Sequence, residues 1–133
     1  MKINKPLMSV SICLRGHKLD PSYITKKLGI QPTRAQKKGA FKSGSSKYYA
    51  KIGLWTLKLK SESYPSSELI DMLLEKLSMH AVKLNKIRGV EDAELDILFA
   101  FGDEAQHALE FTLSNNQIIR ASRLGLSVCV TIM

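Results

Sequence analysis

The stretch Leu7-Met8-Ser9-Val10-Ser11-Ile12-Cys13-Leu14, followed shortly by Leu19-Asp20-Pro21-Ser22-Tyr23-Ile24-Thr25-Lys26-Lys27-Leu28-Gly29, places a strand just before a helix. In the first part Val10, Ile12 and Leu14 fall on one side and Ser9, Ser11 and Cys13 on the other. Apolar residues at every second position are the signature of a half-buried strand. In the second part both helix ends are signed. Asp20 suits the N-cap, and Pro21 suits the first helical position, where its missing N–H costs nothing. Lys26 and Lys27 sit in the last turn against the negative end of the dipole, and Gly29 can take the left-handed conformation that ends a helix. Ile24 and Leu28, four residues apart, share one face.

Working outward, residues 31–51 show no period and contain Pro32, Gly39 and Gly44 among many lysines, which predicts a basic irregular loop. Alternation resumes over 54–60, with Trp55, Leu57 and Leu59 opposed to Thr56, Lys58 and Lys60. A serine cap after Pro65 opens a helix whose stripe of Leu69, Ile70, Leu73, Leu74, Leu77, Ala81 and Leu84 faces a core, with Gly89 closing it. Residues 93–101 alternate again, with Leu95, Ile97, Phe99 and Phe101 inward and Glu94 and Asp96 outward. Gly102-Asp103 marks a turn, and Leu109, Phe111 and Leu113 predict a further strand. Ser114 caps a helix ending at Gly125, and Val128, Val130 and Ile132 make a last strand.

The order β-α-β-α-β-β-α-β predicts an α+β fold, a largely antiparallel sheet with helices packed on one face. A chain of 133 residues fits a single domain over 1–133, burying roughly two thirds of its unfolded surface. Its 44% apolar and 24% charged residues are ordinary globular values. No apolar run reaches the roughly 18–20 residues that cross a bilayer, so a cytoplasmic protein without membrane partners is expected. Cys13 and Cys129 both lie in apolar strand patterns and are expected to be free, buried thiols.

Charge divides the chain. Residues 1–60 hold 14 Lys/Arg against the single acid Asp20, a net +13, while residues 61–133 hold 6 Lys/Arg against 11 Asp/Glu, a net −5; together these make the total of +8. The fold decides whether those regions become separate faces.

Catalytic patterns are missing at the level of spacing. His17, His80 and His107 are scattered and no Cys-x-x-Cys occurs, so no zinc site and no cofactor are expected. Gly39 and Gly44 have the spacing of a phosphate loop, but Ser45-Ser46 stand where that loop needs Lys followed by Ser or Thr. There is no Gly-x-Ser-x-Gly nucleophile elbow. The densest acids are Glu91, Asp92, Glu94 and Asp96; on a strand Glu94 and Asp96 share a face, which makes them a solvated acidic surface able to meet a basic partner. The complementary candidate is the basic run, with Arg34, Lys37, Lys38, Lys42, Lys47 and Lys51 interleaved with Tyr48 and Tyr49. Cations beside stackable rings are what single-stranded nucleic acid binding uses.

The run from Leu19-Asp20-Pro21 through Gly29-Ile30-Gln31-Pro32-Thr33-Arg34, then Lys38-Gly39 and Gly53-Leu54-Trp55, resembles the bacterial family Domain of Unknown Function 4279, over nearly the whole chain. The resemblance implies structural roles for most of these residues. Asp20, Pro21 and Gly29 punctuate a helix, Pro32 and Thr33 redirect the chain, Trp55 anchors the core, and Arg34, Lys38 and Gly39 are surface candidates. Ala35-Gln36 and the ending Thr131-Ile132-Met133 depart from the family pattern. The resemblance implies no activity. Together these readings favour a non-catalytic protein-binding module, specifically an immunity protein that neutralises a cognate bacterial toxin of the contact-dependent inhibition type. The alternative is a nucleic-acid-binding protein using residues 34–51. The sequence does not set the oligomeric state.

Overall fold

A computed structural model describes residues 7–39, 51–61, 67–78, 83–100 and 110–133. The elements are β1 (Leu7–Gly16), α1 (Pro21–Leu28), β2 (Arg34–Gln36), β3 (Gly53–Ser61), α2 (Glu68–Ser78), a 3₁₀ turn (Leu84–Lys86), β4 (Asp92–Ala100), α3 (Asn115–Arg123) and β5 (Ser127–Ile132). The five strands form one sheet in the order β2-β3-β1-β4-β5. β1 pairs antiparallel with both β3 and β4, and β2 pairs antiparallel with β3. β5 alone is parallel to its neighbour β4. Parallel neighbours need a crossover, and α3 lies in that connection. The class is α+β and the sheet is mostly antiparallel, as the sequence predicts.

Register fixes the core. Val10 lies opposite Leu59 and Ile97, Ile12 opposite Leu57 and Leu95, and Leu14 opposite Trp55 and Ala93. These residues form one buried cluster with Ile24 and Leu28 of α1, the apolar stripe of α2, and Ala121 on α3. All three helices therefore cover the same face. Trp55 is fully enclosed, and its Nε1 donates to Thr25 Oγ1 at 3.1 Å, which satisfies the one polar atom of the indole.

The signed helix ends behave as the side chains dictate. The Asp20 carboxylate accepts from Ser22 N at 3.1 Å, and Gly29 at φ 67° donates its N–H to Thr25 O at 2.8 Å. At α3 a full capping box forms: Ser114 Oγ accepts from Gln117 N at 3.1 Å and Gln117 Oε1 accepts from Ser114 N at 3.0 Å. Gln117 is itself buried, and its Nε2 donates to Ser67 O at 3.2 Å and Asp71 Oδ1 at 3.1 Å. One side chain thus closes its own helix and ties it to the start of α2.

Several expectations are corrected. The strand expected from Leu109, Phe111 and Leu113 is not a strand over residues 110–113; Leu109 lies outside the described residues. Phe111 and Leu113 still dip against the core, with the Phe111 ring edge-on to Phe99 at 5.1 Å between centroids. Their alternation is real, but the place beside β4 is taken by β5. The basic loop contains the short strand β2. The long helix is described as far as Ser78; residues 79–82 lie outside the described residues, and Leu84 packs in the core in a separate 3₁₀ turn, its N–H donating to Leu124 O at 2.8 Å. Cys13 is buried as expected, but Cys129 is exposed, because β5 is an edge strand.

Close approach at the lower end of the sheet demands glycine. A Cβ on Gly16 would fall inside the Gly89 carbonyl, where β1 leaves the sheet and the chain re-enters it as β4.

Gln117→Ala removes half the capping box and both bonds to α2, and should lower unfolding stability by about 2 kcal/mol. Ile119→Ala, at a half-exposed site on the same helix, should change it by no more than about 0.5 kcal/mol. Urea denaturation of both variants measures the difference.

Candidate functional site

Alternation along the strands sends the polar residues to the face opposite the helices. Across β1 the register aligns Arg34, Thr56, Cys13, Glu94 and Ser127 in one row, and Lys58, Ser11, Asp96 and Cys129 in the next. Ser9, Ser11 and Cys13 are small and sit between longer neighbours, so they are buried at 4%, 7% and 7% exposure. Ser11 and Cys13, with Thr56 beside them, floor a groove of about 570 Å³ whose rim carries Arg15, Arg34, Thr33 and Lys58. Thr33 is held at this rim from two sides: its N–H donates to Thr56 O at 2.7 Å and its Oγ1 accepts from Lys58 N at 2.9 Å. Those bonds turn the chain after Pro32 into β2, which presents Arg34.

The two charge classes take opposite halves of this face. Arg34 and Lys58 are exposed on β2 and β3, and among the described residues no carboxylate pairs with either. On β4 stand Asp92, Glu94 and Asp96. Between the halves, Arg15 of β1 reaches all three acids, with guanidinium-to-carboxylate distances of 3.1 Å to Asp92, 3.9 Å to Glu94 and 3.7 Å to Asp96. One cation against three carboxyls leaves β4 with an excess of negative charge.

That excess appears as proton retention. Glu94 is pushed up to about 7, first by its hydrogen bond to Asp96, then by desolvation and by the Asp96 charge. The Asp96 Oδ1 atom is enclosed and has no donor when both carboxyls are ionised. A proton kept on Glu94, or the Cys13 thiol, supplies one to this carboxylate. Burial, followed by the hydrogen bond to Asp96, also pushes the Cys13 thiol up, while Ser11 and Thr56 pull weakly the other way. A nucleophilic cysteine needs the opposite shift, toward thiolate. Cys13 therefore serves as floor and donor.

Glu94, Asp96 and Cys129 bring one potential ligand atom each within 4.8 Å of one another, a grouping able to contact a metal ion. The Arg15 guanidinium already lies 3.9 Å from Glu94 and 3.7 Å from Asp96, so an ion there would compete with it for both carboxylates.

Of the residues picked from sequence, Arg34, Glu94 and Asp96 come together on this face, with β1 and β3 between them. Lys37 and Lys38 follow β2 and Lys51 precedes β3, all exposed. Lys42, Lys47, Tyr48 and Tyr49 lie outside the described residues. Arg15, Ser11, Cys13, Thr56 and Lys58 escaped the sequence reading as site residues. Their alternation with the core was visible, but strand order was needed to set them side by side.

Glu94 holds its proton more tightly folded than unfolded. Its contribution to stability is therefore complete below the unfolded value of 4.5 and declines as pH rises through 4.5 toward about 7. Glu94→Gln keeps a donor beside Asp96 at every pH, so the variant should lose less stability than wild type between about pH 5 and about pH 7.5. Urea midpoints at the two pH values decide it, and equal losses refute it.

No described helix is long and apolar enough to cross a membrane. Comparison with curated proteins and with solved structures returns no match. The family model described as "Domain of unknown function (DUF4279)" matches residues 5–133, essentially the whole chain. The protein whose sheet carries this two-signed face is thus a member of the DUF4279 family.

Proposed function

We propose that the chain is a non-catalytic binding module that uses the open face of its sheet to hold a protein partner, and that this partner is a toxin domain it neutralises in the manner of an immunity protein. The observation that carries the reading is the two-signed face. Arg34 and Lys58 stand on one side of β1, and Asp92, Glu94 and Asp96 on the other. Two strand spacings, about 10 Å, separate Lys58 on β3 from the β4 acids, and three, about 14 Å, separate Arg34 on β2 from them. A surface of this kind selects a partner with matching charges in the reverse order, and such complementarity steers the encounter and sets its orientation.

The same observation weighs against nucleic acid at this site. A phosphate chain lying across Arg34 and Lys58 would pass within about one Debye length of the β4 carboxylates, where repulsion is only partly screened. A protein can place a cation over β4; a polyphosphate cannot.

Co-expression with the product of the adjacent gene should give a complex that survives purification and protects the cell. Arg34→Glu combined with Lys58→Glu should weaken it at least about 10-fold, or about 1.4 kcal/mol, with the fold unchanged by circular dichroism. No complex and no protection would sink the reading. Retardation of single-stranded nucleic acid with a log–log salt slope of about −4.5, as expected for roughly five phosphate contacts, would transfer the assignment to nucleic acid.

A further inference from the structure

The two edges of the sheet are unlike. At one edge β2 is three residues long, bears Arg34, and is followed by Lys37 and Lys38. Short, charged edges resist pairing with another chain. At the other edge β5 runs for six residues, Ser-Val-Cys-Val-Thr-Ile, with no charge and no proline. Its inner side is paired with β4 from Ser127 to Ile132, and Met133 N continues the contact to Phe99 O at 2.9 Å. Among the described residues nothing pairs with its outer side.

The side chains of β5 point the same way. Val128, Val130 and Ile132 lie opposite Leu95, Ile97 and Phe99, all fully buried. The core face of the sheet thus runs out beyond the cover of its helices, leaving Val128 at 42%, Val130 at 49% and Ile132 at 58% exposure. An apolar row along an open, uncharged edge is a surface built for another strand.

We propose that the strand it takes is β5 of a second copy, joined antiparallel about a two-fold axis to give a continuous ten-stranded sheet. An axis perpendicular to the sheet keeps the helices of both copies on one side. Residues directly opposite in an antiparallel pair share a face. Centring the register on Val130 sets Val130 against itself and Val128 against Ile132 of the second copy, so the apolar row is covered by its own image. Cys129 then faces Thr131, and the two paired strands bring no charged side chain of their own to the joint. An uncharged strand leaves a charged partner strand no counter-ion; β5 itself meets the requirement, and a two-fold contact is self-complementary by construction.

The contact is small beside the roughly 1,200–2,000 Å² of standard interfaces, so a dissociation constant on the order of 10 µM is expected. Sedimentation equilibrium at about 200 µM should give close to twice the 14.9 kDa of one chain, falling toward one chain on dilution. Val130→Lys should weaken the dimer at least about 10-fold, because the two-fold axis brings the new charges together. Met72→Lys, at an equally exposed apolar residue on α2, should leave it intact. Amides of residues 127–132 should exchange more slowly at high than at low wild-type concentration, a readout that needs no variant. A wild-type chain that stays monomeric at about 200 µM, a dimer that survives Val130→Lys, or exchange in β5 independent of concentration overturns the proposal.

Discussion

Strand β1 is enclosed on both faces and paired on both edges, and the positions of the other elements follow from that double confinement. A strand with one face to water can carry any polar residue there. A central strand crowded by longer neighbours must be narrow on that side, and Ser9, Ser11 and Cys13 are narrow. The Ser11 hydroxyl and the Cys13 thiol bond to each other, and the Thr56 hydroxyl donates to Cys13 Sγ, so these polar atoms are not stranded. On the other side Val10, Ile12 and Leu14 supply the bulk against which α2 packs. β3 and β4 flank β1 as antiparallel neighbours, and β2 and β5 form the edges.

The electrostatics inherit this geometry. β3 and β4 come from the basic and acidic parts of the chain and are held apart by one strand. Arg15, at the end of β1, belongs by sequence to the basic part but is spent on the carboxylates of β4. Among the described residues of this face, the cations with no carboxylate beside them, Arg34 and Lys58, therefore lie on the β2–β3 side. Three acids sharing a single guanidinium cannot all ionise comfortably, so Glu94 keeps its proton toward neutral pH. The groove on the β1–β3 side of this face has at its floor the Cys13 thiol, held toward its protonated form by burial and by Asp96.

Local chemistry was legible without coordinates. The caps at Asp20, Pro21, Gly29 and Ser114 depend on residues within a turn of one another, and each acts as its side chain dictates. The same holds for the two-residue period of β1, β3 and β4, which separates Trp55 from Thr56 and Ile97 from Asp96. Period alone was misleading at Phe111 and Leu113, where alternate side chains reach the core although the backbone has no strand to join. It also left Cys129 in the interior, because an apolar strand reads alike at the centre and at the edge of a sheet.

The sequence by itself determined the caps of α1 and α3, the inward residues of the central strands and the class of fold, since these follow from neighbours a few positions apart. Only the tertiary structure decided that β5 lies parallel at an open edge, that Arg15 serves β4, and that Arg34, Lys58 and Glu94 share one face. Strand order is settled by which faces can be buried together across dozens of intervening residues, and no local spacing records that competition.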